Sequence, residues 1–97
     1  MDKLRIALDW DGTVTADREL WFAFIKHAKE RGHDIFIATA RSEETAQKVR
    51  EEVAQFGIKV IAVDGKPKIN EVDRQTGHFP DIWIDDMPHL LFCSSKE

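Results

Sequence analysis

Cysteine is almost missing from this chain: Cys93 stands alone among 97 residues, so no disulfide can form within it, and a lone thiol fits a reducing compartment. Long apolar runs are missing too. None approaches the ~20 residues that span a bilayer. The opening residues, Met1-Asp2-Lys3-Leu4-Arg5, interleave charge with apolar side chains rather than building a signal peptide. A cytoplasmic protein with no membrane partner is expected. There is no basic run, and 14 Lys and Arg against 18 Asp and Glu leave a net charge of −4. That disfavours strong nonspecific nucleic-acid binding, though not a phosphorylated substrate held by a few local cations. Without repeats, low-complexity tracts or Pro/Gly-rich linkers, residues 1–97 are expected to form one catalytic domain. Its size leaves the core little to spare.

What the chain does have is four short apolar runs, each ending in polar residues. Leu4-Arg5-Ile6-Ala7-Leu8 leads into Asp9-Trp10-Asp11-Gly12-Thr13, and Asp34-Ile35-Phe36-Ile37-Ala38 into Thr39-Ala40-Arg41. Val60-Ile61-Ala62-Val63 precedes Asp64-Gly65-Lys66-Pro67-Lys68, and Ile82-Trp83-Ile84 precedes Asp85-Asp86. Near-continuous apolar runs suit parallel strands covered on both faces. If the runs are such strands, their polar ends meet along one sheet edge, where open α/β folds bind ligands.

Helical signals separate the runs. Thr15 or Asp17 can cap a first helix reaching about Arg31, with Leu20, Phe24, Ala28 and Trp21, Ile25 as its apolar stripe and Gly32 as its stop. Ser42 caps a second helix that starts with Glu43 and Glu44, buries Ala46, Val49 and Val53, and ends by Gly57. Residues 66–80 can hold a third, with Ile69 and Val72 inward. Pro88 suits the first turn of a terminal helix. Strand alternating with helix predicts an α/β fold, a parallel sheet with helices on its faces.

An acidic pair, a hydroxyl, a lysine and a second acidic pair at one edge are the equipment of magnesium-dependent phosphoryl transfer. An aspartate can attack phosphorus and form an aspartyl phosphate. A neighbouring carboxyl can protonate the leaving oxygen and later deprotonate water. Carboxylates can hold Mg2+. Asp9 and Asp11 supply the first pair, and Gly12 allows a sharp turn and close approach of backbone N–H groups to a phosphate.

Asp9-Trp10-Asp11-Gly12-Thr13 after an apolar strand resembles the first motif of the haloacid dehalogenase superfamily. Thr39 resembles its second motif, Lys66 its third and Asp85-Asp86 its fourth, all in the family's order. The resemblance implies a three-layer Rossmann-like sheet in strand order 4-1-2-3 and a phosphomonoester hydrolase. It makes Asp9 the nucleophile and a metal ligand, and Asp11 the general acid/base, with its carbonyl also on the metal. Thr39 would bind the transferring phosphoryl group, and Lys66 would neutralise charge on Asp9 and the phosphate, with Lys68 as the alternative. Asp85 would ligate magnesium directly, with Asp86 acting through water or as a partial substitute. Trp10, Gly12, Ala40 and Arg41 are expected to line the substrate, Trp10 by packing beside the site or stacking on a base, Arg41 by contacting an anion unless it forms a surface salt bridge.

Neither of the two places where this family inserts a cap has room for one. The site should be open, facing a large phosphorylated substrate or a neighbouring subunit. Three aromatics on one helix, Trp21, Phe22 and Phe24, point to a homo-oligomer with Phe22 in the contact. The competing readings are a phospho-accepting receiver, whose acceptor would lie on the third strand, and a non-catalytic binding domain that keeps the fold.

Overall fold

Successive residues of the second apolar run face opposite sides of one sheet. Ile35 and Ile37 join Ile6 and Leu8 in one buried cluster, while Phe36 and Ala38 join Ala7, Ile61 and Val63 in another. This is the two-residue alternation of a strand buried on both faces. The computed structural model describes residues 3–94. Its strands are β1 (Arg5–Leu8), β2 (Asp34–Thr39), β3 (Val60–Ala62) and β4 (Ile82–Ile84), and its helices α1 (Arg18–Glu30), α2 (Glu43–Val53) and α3 (Lys68–Thr76). All strand pairs are parallel, in the order β3-β2-β1-β4, which is the expected order read from the other edge.

The connections explain the layers. From β1 to β3 the chain steps in one direction, and right-handed crossovers then place α1 and α2 on the same face. Ile25, Ala28, Ala46, Val49 and Val53 accordingly pack with Ile6 and Leu8. The step from β3 back to β4 runs the other way, so α3 lies on the opposite face, with Val72 against Ala7 and Phe36. Chain direction reverses beside β1, and a crevice opens at the carboxyl ends of β1 and β4. Only residues 9–17, including a 3-10 turn at Val14–Ala16, separate β1 from α1, and residues 63–67 separate β3 from α3. Neither connection holds a cap.

Capping follows local chemistry. The Asp17 side chain accepts from the Leu20 N–H at 3.1 Å, and Ser42 accepts from the Thr45 N–H at 3.3 Å. After α2, a 3-10 turn at Ala54–Phe56 ends on Gly57 in the left-handed conformation (φ 66°). The end of the chain differs from expectation: after Pro88 there is one 3-10 turn, Pro88–Leu91, and the rest of the expected terminal helix, 95–97, lies outside the described residues.

The stripe of α1 is shifted. Ile25 and Ala28 are buried and Trp21 and Phe24 half-buried, but Leu20 is 55% exposed. Phe22 is half-buried. Its ring lies 6.4 Å from Trp10 and 5.2 Å from Phe56, tying α1 to the loop after β1 and the turn after α2. Among the described residues no helix is long and apolar enough to cross a membrane.

Candidate active site

Asp9 follows β1 directly, and its N–H donates to the Ile84 carbonyl at 2.9 Å, extending the pairing with β4 by one residue. That bond places Asp9 beside Asp85 and Asp86 in the crevice. Asp9 is only 6% exposed. Its Oδ1 accepts from Lys68 Nζ at 2.6 Å and its Oδ2 from the Thr13 hydroxyl at 3.0 Å. Lys68 also donates to Asp85 Oδ2 at 2.6 Å, so one buried ammonium sits between two carboxylates. Burial pushes the Asp9 carboxyl up to about 6. The Lys68 ammonium opposes this shift, while the neighbouring Asp86 and Asp85 carboxylates add to it.

The lysine in the site is therefore Lys68, not the expected Lys66. Lys66 is exposed in the turn after β3, with its N–H on the Val63 carbonyl. Lys68 is the first residue of α3. Side chains on a helix lean toward its N-terminus, so a first-turn lysine projects ahead of the helix onto the strand ends.

Asp85 and Asp86 follow β4. Asp85 Oδ1 accepts from the Met87 N–H at 2.9 Å, so both its oxygens are engaged. Asp86 is exposed and linked to Thr13 twice: its Oδ1 accepts from the hydroxyl at 3.3 Å, and its N–H donates to that oxygen at 3.2 Å. Thr13 thus joins Asp9 to Asp86, a role the sequence reading did not assign, although the residue closes the first motif. One carboxylate oxygen each from Asp9, Asp85 and Asp86 lies within 4.8 Å of the others. An all-oxygen anionic set of this kind suits a hard divalent cation such as Mg2+.

Asp11 faces away from this group. Arg41 grips it at both oxygens, Nε to Oδ2 at 2.9 Å and Nη2 to Oδ1 at 2.8 Å, and braces itself on the Thr45 carbonyl at 3.2 Å. Arg41 holds the Asp11 carboxyl below the usual carboxylate range. Thr39 is fully buried at the end of β2, and its hydroxyl oxygen accepts from the Arg41 N–H at 3.3 Å. Ala40 is half-buried and its carbonyl accepts from the Gly65 N–H, continuing the sheet edge.

Gly12 has φ 86°, and a Cβ there would collide with the Asp86 carboxylate, so a side chain is excluded on two grounds. Its N–H donates to the Thr15 hydroxyl at 2.9 Å rather than facing the crevice. Trp10, expected to line the substrate, is instead 1% exposed and buried against Phe22, with the Arg18 guanidinium 5.6 Å from its ring. Alternation accounts for this: with Asp9 turned to the crevice, residue 10 turns into the core.

Residues 6–76 match the family of haloacid dehalogenase-like hydrolases. No curated protein and no solved structure gives a significant match.

Proposed function

The chain belongs to the haloacid dehalogenase-like hydrolases, and within that family we propose that it is a magnesium-dependent phosphomonoester hydrolase working through an aspartyl phosphate on Asp9. The observation that supports this best is the Asp9–Lys68–Asp85 group, with Thr13 and Asp86 closing it. Each Asp9 oxygen accepts one hydrogen bond and keeps lone pairs for bond formation. With a carboxyl raised only to about 6, Asp9 is ionised at neutral pH.

Asp9 attacks phosphorus and the bond to the ester oxygen breaks. Asp11 supplies the proton that the leaving oxygen needs. Water then attacks the phosphorus, gives its proton to Asp11, and returns Asp9 with release of phosphate. Lys68 offsets the negative charge that Asp9, Asp85 and the phosphoryl group bring together. Thr13 orients the Asp9 carboxylate. Arg41 holds both Asp11 oxygens and favours the ionised carboxylate, so Asp11 must first leave that grip and take up a proton from solvent before it can pass one to the leaving oxygen. Magnesium, held by Asp9, Asp85, Asp86 and the Asp11 carbonyl, would supply charge neutralisation at the phosphoryl oxygens.

The test is phosphate release from a panel of phosphorylated metabolites, oligonucleotides with terminal phosphates and phosphopeptides. Release should require magnesium and vanish in Asp9→Asn. Equal release by Asp9→Asn, or full activity with excess EDTA, would overturn the reading.

A further inference from the structure

At the opposite edge of the sheet, where β1 and β2 begin, lies a cavity of about 250 Å3. Its rim gathers Arg5, Lys29, His33, Lys59 and His78 against a single acid, Asp34, in a chain whose net charge is −4. Ile35, Phe36, Ile58 and Ile61 also contribute to its lining.

Among the described residues, cations without a side-chain partner occur elsewhere too, at Lys26, Arg31 and Lys48; what sets this rim apart is that its basic groups converge on one cavity. Arg18, Arg41, Arg50 and Arg74 each hold a carboxylate. The side chains of Arg5, Lys59 and His78 make no hydrogen bond or ion pair among the described residues. Lys29 caps the carbonyl of Phe56 at the end of the turn after α2, the ordinary use of a cation at a helix C-terminus. That use accounts for Lys29 and leaves the Arg5 and Lys59 charges together with the two histidine rings. His33 Nδ1 accepts from the Leu4 N–H at 3.1 Å, so the proton of the neutral ring is on Nε2, and that nitrogen is a donor. The unspent polar capacity of the cavity is thus weighted toward donors, Asp34 being the one carboxylate in its lining. It calls for an acceptor-rich, negatively charged occupant.

We propose that this cavity binds a small organic anion carrying phosphate or carboxylate groups, at a site separate from the Asp9 crevice. The volume lies just under the roughly 300–1,000 Å3 of pockets for drug-sized ligands, so the occupant is smaller than those. The apolar residues of the lining favour a carbon-bearing anion over bare inorganic phosphate, which would leave them wet. Nucleic acid fits poorly, because the cations ring one cavity and do not form a stripe along the surface.

Residue-resolved NMR separates this site from the catalytic one. Metal-free protein at constant ionic strength is titrated with citrate, and in parallel with phenylphosphonate, a carbon-bearing phosphoryl anion that cannot be hydrolysed as an ester. Saturable amide shifts are expected at residues 33–36, 57–61 and 76–80, distinct from any at residues 9–13 and 85–86. Lys59→Gln/His78→Gln, both exposed positions, should weaken binding about tenfold or more, the effect of losing the charge-assisted hydrogen bond from Lys59. Arg5→Gln should do the same if it folds. Shifts that never saturate and spread over surface lysines, or saturable binding unchanged in the double variant, would overturn the proposal.

Discussion

One ammonium group stands between two buried carboxylates that would otherwise repel each other, and its loss should be felt in both stability and chemistry. Lys68→Ala should destabilise the protein by about 3 kcal/mol at neutral pH, because breaking a buried pair strands charge, and should abolish phosphate release. Lys66→Ala should leave both near the parent level. Thermal melts and phosphate assays on the two variants check this, and equal effects would restore Lys66 as the candidate. Asp9 carries a pH signature of its own. Its carboxyl is raised from 3.8 to about 6, so the native protein holds that proton more tightly than the unfolded chain does. The resulting stability is full below about pH 4 and is lost as pH rises through 6, by about 2–3 kcal/mol. Asp9→Asn in EDTA should therefore become more stable relative to the parent between pH 4 and 7. A difference that stays flat across that range, measured by urea unfolding, would show that Asp9 is not so shifted.

Among the elements, α1 and α2 were legible where their signals are local. Asp17 and Ser42 cap because a short acceptor side chain reaches an N–H three residues on, within one turn of chain. The orientation of α1 was less legible. Leu20, Trp21, Phe22 and Phe24 are all large and apolar, and helical spacing alone allows more than one inner stripe. Trp10, buried after β1, and Phe56, after α2, select Phe22 as the ring that packs between them. Phe22→Ala should then cost about 2–3 kcal/mol, somewhat below a full core truncation because the ring is half-buried. Chemical denaturation measures the loss. An unchanged melt together with a changed sedimentation coefficient would instead make Phe22 an association contact.

For the molecule as a whole, three carboxylates meet in one crevice in the native state, the form that the proposed divalent cation would bind. Magnesium at ten times its dissociation constant should add about 1.4 kcal/mol to stability, seen as a rise of several degrees in the melting temperature. Asp85→Ala should remove that rise. A melt indifferent to magnesium would dissociate the cluster from metal binding. The sequence by itself determined the run of parallel strands, the cap of α2, the cap of α1 as one of Thr15 and Asp17, and the polar residues at the strand ends, since each depends on neighbours a few positions away. The tertiary structure alone decided that Lys68 rather than Lys66 meets Asp9, that Arg41 grips Asp11, that Trp10 turns inward, and that basic side chains gather around a cavity at the far edge. The Asp11–Arg41 and Asp9–Lys68 contacts join residues 30 and 59 positions apart. They depend on how α3 and the loops dock onto the sheet, and that docking is set by packing that no local pattern encodes.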